Sequence, residues 1–163
     1  MIEIKLIGDW ERYQQNLARL PSMVKNAAIA GQRKAAERLV KIVREHLNKQ
    51  DLGWAERSST TNSGDSRILV DYGEYYDAIK AWRKNDIYYA GVKNDAYNHR
   101  GIQISKYAAY HEYGTSTEPA RPLWGPSMGD LGGSKGVRKI VIDSIYRKIL
   151  ELRNEGFDIE VNL

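Results

Sequence analysis

The sequence predicts an α+β domain in which a small antiparallel sheet packs against a long N-terminal helix and a C-terminal helix. Apolar side chains recur at helical spacing in residues 22–49 and 137–153, and two short strand patterns flank a polar turn within residues 78–92. The segments between these elements are long and rich in small polar residues, glycine and proline. With 163 residues, the chain has the length of one domain, which we expect to span 1–163.

The N-terminal third predicts one strand followed by two helical segments. Residues 1–7 alternate apolar and charged side chains, which is typical of a half-buried strand and not of a secretory signal. Asp9 is a suitable N-cap for a short helix over residues 10–19. Pro21 is expected to interrupt that helix, so that a long helix begins again at residues 22–49.

The long helix carries a basic outer face. Residues 1–50 hold ten Lys/Arg against five Asp/Glu, whereas the rest of the chain is nearly balanced, so the net charge of +4 comes from this third. The face is either simply solvated or contacts an acidic partner or a DNA backbone, which gives an alternative function as a DNA-associated module. The cations of this possible DNA-facing surface are Arg33, Lys34, Arg38 and Lys41. His46 lies beside the apolar stripe and is expected to be a partly buried packing residue.

The middle of the chain predicts a loop and a hairpin. Residues 51–67 are small and polar without periodicity, which predicts a mobile loop, and Trp54 in that loop is expected to dock on a neighbouring subunit. Residues 69–79 predict a capped turn leading into a strand. Residues 78–83 and 87–92 then predict a β-hairpin around a polar turn.

The C-terminal half predicts two further helices separated by a long loop. Residues 102–113 are predicted to include a short helix that ends at Gly114, a residue suited to the position after a helix C-terminus. Residues 115–136 are predicted to be an extended irregular loop. Residues 137–153 return to helical spacing, and residues 157–163 alternate again as a final strand.

The sequence contains no recognisable catalytic or metal-binding pattern. The chain has no cysteine, which excludes disulfides and thiolate metal sites, and its three histidines lack metal-ligand spacing. Phosphate-loop, nucleophile-elbow and zinc-protease motifs do not occur. We therefore expect no catalytic residue, metal or cofactor, and a protein that is not an enzyme. No run of about 18 apolar residues predicts a membrane span.

The most unusual stretch of the chain is Tyr107-Ala-Ala-Tyr-His-Glu-Tyr-Gly-Thr115, followed by Pro119-Ala-Arg-Pro-Leu-Trp124. The stretch contains more aromatic residues than one short helix usually buries. Because aromatic residues are enriched at protein interfaces, we expect some of them to face another chain. Glu112 lies near a helix C-terminus, where a negative charge is unfavourable, and so requires a compensating cation. Arg121, held between two prolines, is the expected partner in a bidentate ion pair, either within the chain or between subunits.

This stretch resembles the signature of tailed-bacteriophage tail-completion proteins, the head–tail joining or neck family. That family shows Tyr-Ala, then Glu-aromatic-Gly-Thr and, a few residues later, Pro-Ala-Arg-Pro followed by an aromatic residue. Leu69-Val-Asp-Tyr-Gly-Glu-Tyr-Tyr-Asp-Ala-Ile79 resembles a second, upstream block of the same family. The chain departs from the family at Tyr72, where threonine is usual, at Ala78, where serine is usual, and at Leu123, which precedes the aromatic Trp124.

The resemblance implies a structural virion protein that completes the tail and joins it to the head. Members of the family form homo-oligomeric rings, commonly hexamers, at the neck or head-proximal end of the tail. The implied partners are tail-tube and connector or adaptor proteins, with channel DNA nearby and neither membrane nor small-molecule substrate, and assembly takes place in the host cytoplasm. The residues predicted for the assembly interface are Trp54, Tyr107, Tyr110, Glu112, Tyr113, Gly114, Thr115, Arg121, Pro122 and Trp124.

Overall fold

The computed structural model describes residues 10–55 and 67–154. These residues form five α-helices, a 3-10 turn and a two-stranded antiparallel sheet, which confirms the predicted α+β class. The elements are α1 (Trp10–Lys49), the 3-10 turn (Asp71–Gly73), α2 (Glu74–Ala78), β1 (Ile79–Lys84), β2 (Ile87–Val92), α3 (Ile104–Tyr113), α4 (Trp124–Asp130) and α5 (Gly133–Asn154). The predicted terminal strands, the cap at Asp9 and most of the loop predicted to be mobile lie outside the described residues.

Helix α1 is continuous over 40 residues, so the predicted interruption at Pro21 is wrong. A proline inside a helix removes one backbone hydrogen bond and costs about 3 kcal/mol, which the packing of the rest of the helix must offset. Pro21 lies on an exposed part of α1, where water can satisfy the carbonyl that loses its partner. The hydroxyl of Ser22 also donates to the carbonyl oxygen of Arg19 at 2.8 Å, an additional hydrogen bond in the same turn.

The hydrophobic core lies where the C-terminal half of α1 meets the hairpin, α2, α3 and the segment before α4. Its most deeply buried apolar side chains are Val43, Leu47, Ile79, Ile104 and Leu123. Burying an aliphatic side chain of this size stabilises the fold by about 1.5–3 kcal/mol. The predicted apolar stripe of α1 therefore faces the core as expected.

Helix α5 packs closely along α1. At Gly31, an added Cβ would lie 2.7 Å from the Cα of Val141 and 3.1 Å from the Cβ of Ser144. Any larger residue at Gly31 would force the two helices apart. Leu152, near the end of α5, is fully buried, so the packing continues to the last turns of this helix.

The predicted hairpin is confirmed, and it is anchored on α1. Strand β1 pairs with β2 from Ile79 opposite Val92 to Lys84 opposite Ile87. The guanidinium of Arg44 donates to the carbonyl of Ile79 at 2.9 Å, and the amide of Tyr88 donates to the side chain of Gln32 at 3.2 Å. These two bonds hold the sheet in one orientation on α1.

The prediction of an irregular loop over 115–136 is wrong from residue 124 onward. Helix α4 occupies Trp124–Asp130, and α5 begins at Gly133. Glycine and proline made this segment look irregular, because both residues are poor helix formers in isolation. A carboxylate from another helix supplies the missing stabilisation, as shown below.

Candidate assembly interface

The stretch predicted to form contacts makes a tight junction between α3 and α4. Helix α3 ends at Tyr113, and the amide of Gly114 donates to the carbonyl of Tyr110 at 2.8 Å. Gly114 has φ 75° and ψ 177°, a conformation that is essentially limited to glycine. A Cβ at this position would also lie 2.9 Å from the backbone nitrogen of Ala120. Glycine is therefore required both by its own backbone and by the loop that returns across it.

The loop between the two helices is held by its own hydrogen bonds. The amide of Thr115 donates to the carbonyl of Glu118 at 2.9 Å, and the hydroxyl of Thr115 accepts the amide of Glu118 at 3.0 Å. The amide of Arg121 then donates to the carbonyl of His111 at 2.6 Å. The loop thus closes back onto the last turn of α3.

Glu112 connects the end of α3 to the beginning of α4. Its Oε2 accepts the amides of Leu123 at 2.8 Å and Trp124 at 3.1 Å, and its Oε1 accepts the amide of Gly125 at 3.1 Å. The next residue, Pro126, has no amide hydrogen, so one carboxylate satisfies every donor at this helix start. The negative charge also lies at the positive end of the α4 dipole.

The predicted Glu112–Arg121 ion pair does not form within the chain, and the alternative of a pair between subunits stays a prediction. The compensating positive charge for Glu112 comes from the amides and dipole of α4, and the Arg121 side chain takes another direction. Arg121 is only 6% exposed, its Nη1 lies 3.5 Å from a carboxylate oxygen of Glu118, and its Nε donates to the carbonyl of Ala55 at 3.3 Å. Arg121 therefore fastens the 51–55 segment to the junction.

Trp54 also packs against this junction within its own chain. Its indole N–H donates to the carbonyl of Pro122 at 2.9 Å, while its ring packs against the hydrophobic core. The ring is thus half-buried by its own chain, and its docking on a neighbouring subunit stays a prediction. Pro122 is exposed and contributes its carbonyl.

The aromatic side chains of α3 divide into two groups. Tyr107 packs beside Tyr75, with ring centroids 6.2 Å apart, and beside His111, at 5.8 Å. Burial raises the pKa of Tyr75 to about 12 and that of Tyr107 to about 12. Tyr110 and Tyr113 instead are 57% and 83% exposed. Trp124 is half-buried at the core edge and Thr115 is exposed, so a subset of the predicted interface residues faces solvent.

A cavity of about 410 Å³ lies beside the junction. It is bounded by side chains from the 68–72 segment, α2, α3 and the loops before and after α3, among them Tyr107 and Arg121. Glu74 accepts both the backbone amide of His99 at 2.6 Å and a ring nitrogen of His99 at 2.9 Å. This pair, which the sequence did not predict, fastens the loop before α3 to the first turn of α2.

The predicted DNA-facing cations all lie on the exposed side of α1, but acidic residues separate them. Arg33 pairs with Glu37 at 3.8 Å, and Lys41 pairs with Glu45 at 3.8 Å. Lys34 and Arg38 are exposed on the same side. The interleaved carboxylates reduce the positive potential of this face, which favours its interpretation as a solvated helix surface.

His46 is buried, as predicted, and both of its ring nitrogens contact carboxylates. Nδ1 lies 2.6 Å from Asp51, and Nε2 lies 3.0 Å from Asp130 at the end of α4. The hydrogen bond to His46 lowers the pKa of Asp51 below its ordinary value. The ring donates to both carboxylates when both nitrogens carry a proton, and it then links α1, the 51–55 segment and α4.

The residues that the structure describes contain no cluster of three or more side chains suited to hold a metal ion. Within the same residues, no helix combines the length and the apolar character needed to cross a membrane. No protein-family model, curated protein or solved structure matches the chain.

Proposed function

We propose that this chain is a structural virion protein of a tailed bacteriophage, which completes the tail and joins it to the head as part of a ring at the neck. The proposal rests on the resemblance of residues 107–124 and 69–79 to the tail-completion family. The geometry that supports it is the braced α3–α4 junction, which presents Tyr110 and Tyr113 to solvent. A structural role, and not a catalytic one, is part of this proposal.

The junction suits a contact element because its exposed side chains stand on a fixed backbone. Glu112 ties α3 to α4, and Gly114 allows the chain to reverse immediately after Tyr113. Ordering a loop on binding costs free energy, and a loop already held by internal bonds avoids most of that cost. Large aromatic side chains supply much of the binding energy of protein interfaces. Tyr113 and Tyr110 therefore form the proposed contact with a neighbouring subunit or tail protein.

The identity of the neighbours comes from the resemblance. We propose a homo-oligomeric ring, with six subunits favoured, that contacts tail-tube and connector or adaptor proteins in the virion. An antibody against the purified chain, applied to phage particles produced by the source genome, should label the head–tail junction in electron micrographs. Particles that lack this chain would refute the proposal.

The contact itself is tested by a double substitution, Tyr110→Ala with Tyr113→Ala. Because both side chains are exposed, the variant should keep its free energy of unfolding within about 0.5 kcal/mol. In complementation of a phage that lacks the gene, it should reduce the yield of tailed particles at least tenfold, about the effect of losing one strong interface contact. Tyr97→Ala is the matched control, because Tyr97 is 59% exposed but lies outside the junction. A normal yield from the double variant would contradict the assignment of this surface.

A further inference from the structure

The hairpin has two faces, and among the residues that the structure describes one of these faces packs on the rest of the fold. The strand register places Ile79, Ala81 and Arg83 of β1 on the same side as Val92, Ala90 and Tyr88 of β2. Ile79 is fully buried and Ala81, Tyr88, Ala90 and Val92 are half-buried, whereas Lys80, Lys84, Ile87 and Tyr89 are exposed. This inner face therefore covers α1, and alternation places the remaining residues on the outer face.

The outer face combines lysines with a pair of stacked aromatic rings. Its six positions are Lys80, Trp82, Lys84, Ile87, Tyr89 and Gly91. The rings of Trp82 and Tyr89 lie opposite each other across the strands, with centroids 5.7 Å apart and planes 15° from parallel. A Cβ on Gly91 would lie 3.4 Å from the Trp82 ring, so the indole lies across the bare backbone of that glycine. The result is a pair of nearly parallel aromatic rings on the outer face of the hairpin.

Three cations surround this surface. Lys80 and Lys84 belong to it by register, and the ammonium of Lys93 lies 5.9 Å from the centroid of the Trp82 ring. All three lysines are exposed, and none forms an ion pair with another residue in the described part of the chain.

The acidic residue of the hairpin turn does not neutralise these lysines. The carboxylate of Asp86 contacts Lys25 of α1 at 2.6 Å and Arg83 at 2.7 Å, both on the inner side of the sheet. Those two bonds lower the pKa of Asp86. The six outer positions themselves include no carboxylate, which distinguishes this face from the basic side of α1.

We propose that the outer face of the hairpin binds single-stranded nucleic acid, with the lysines on phosphates and the Trp82–Tyr89 pair stacked on a base. Phosphates complement a face with three cations and no acid, and unpaired bases stack on exposed aromatic rings regardless of sequence. An acidic protein surface would also satisfy the lysines, and the competition experiment below distinguishes it from a single strand. The inference goes beyond the proposed function and does not depend on the oligomeric state of the chain.

The test is fluorescence anisotropy of a labelled oligothymidylate of about twenty nucleotides, long enough to span a site of this kind. The full chain is titrated over a range of salt concentrations. The variant carries Lys80→Ala, Lys84→Ala and Lys93→Ala. Loss of three phosphate contacts should make the slope of log K against log salt shallower by about 2 units and should weaken binding at low salt at least tenfold.

The control removes the same charge from the basic side of α1. The control variant carries Lys34→Ala, Arg38→Ala and Lys41→Ala. Its binding should stay within about twofold of the unchanged chain, because the carboxylates beside those cations already weaken their potential. Tyr89→Ala, at a side chain 41% exposed, should weaken binding of the single strand about tenfold through lost stacking. Circular dichroism of each variant verifies that the fold is kept.

Three results would overturn the proposal. The first is the absence of oligothymidylate binding at low salt, and the second is an equal loss in the two triple variants. The third is a combined result, in which duplex DNA or polyglutamate displaces the labelled oligothymidylate as well as an unlabelled single strand does, and Tyr89→Ala does not change the affinity for the single strand. That result would assign the face to phosphate backbones in general or to an acidic protein.

Discussion

The link between α3 and α4 can be tested by replacing one side chain, Glu112, with glutamine. The change keeps the size and shape of the side chain but replaces one carboxylate oxygen with an amide group that donates hydrogen bonds. In the folded chain the carboxylate accepts three backbone amides, from Leu123, Trp124 and Gly125. Glutamine retains one acceptor oxygen, so at least one of these amides loses its partner.

The expected loss of stability follows from these three contacts. A hydrogen bond to a charged group contributes about 1.5–3 kcal/mol, and an unsatisfied buried amide costs about 1–3 kcal/mol. Removing the negative charge from the α4 N-terminus costs a further 0.3–1 kcal/mol, roughly. We expect the free energy of unfolding to fall by about 2 kcal/mol for Glu112→Gln and by about 4 kcal/mol for Glu112→Ala, since alanine leaves all three amides without the carboxylate.

Urea unfolding followed by circular dichroism and tryptophan fluorescence measures both values. The matched control is Glu37→Gln, the same substitution in the exposed 3.8 Å ion pair with Arg33 on α1. An exposed pair of this kind contributes at most about 1 kcal/mol. If Glu112→Gln lowers the free energy of unfolding by no more than this control does, the carboxylate does not support α4 and the argument for a braced junction fails.

Two further predictions concern the same region. Gly114→Ala should lower the free energy of unfolding by about 3 kcal/mol, because alanine strains the backbone and its Cβ collides with the backbone of Ala120. The control is Gly53→Ala, at φ 63° in open space, which should lower the free energy of unfolding by about 1 kcal/mol. Equal losses in the two variants would contradict the steric argument. Tyr75 and Tyr107 have folded pKa values of about 12, above the ordinary 10.0, so the stability they contribute is present below pH 10 and is lost as the pH rises through 12. Tyrosinate absorbance of the folded chain should show two tyrosines that ionise near pH 12. In Tyr107→Phe only one such tyrosine should remain. A tyrosine titration identical to that of the unfolded chain would refute the prediction.

The elements that the sequence predicted well are those whose pattern is local. The helical stripes of α1 and α5 and the hairpin at residues 79–92 follow from periodicity and from a polar turn, and Gly114 ends α3 as expected. Each of these depends on residues within a few positions of one another. Local patterns therefore recovered the fold class and most of the helix and strand positions.

The elements that the sequence missed depend on distant contacts or on solvent. Helix α4 has a Gly-Pro pair in its first turn, which in sequence is typical of irregular structure. The helix forms because the carboxylate of Glu112, eleven residues before Leu123, accepts its first backbone amides. The continuity of α1 through Pro21 depends on that residue facing water, which periodicity does not report. Both errors came from assigning helix ends by local propensity alone.

The candidate interface shows the same limit at the level of side chains. Its residues were grouped because unusual residue types are concentrated in one stretch, and that concentration has two physical causes. Glu112 accepts backbone amides at the start of α4, Arg121 donates to the carbonyl of Ala55, and Gly114 leaves room for the backbone of Ala120. These three residues are therefore needed to fold the junction. Tyr113, by contrast, is exposed at the end of α3 and makes no contribution of that kind. Because the bracing residues account for the fold of this stretch, the exposed tyrosines are the residues on which the proposed contact depends.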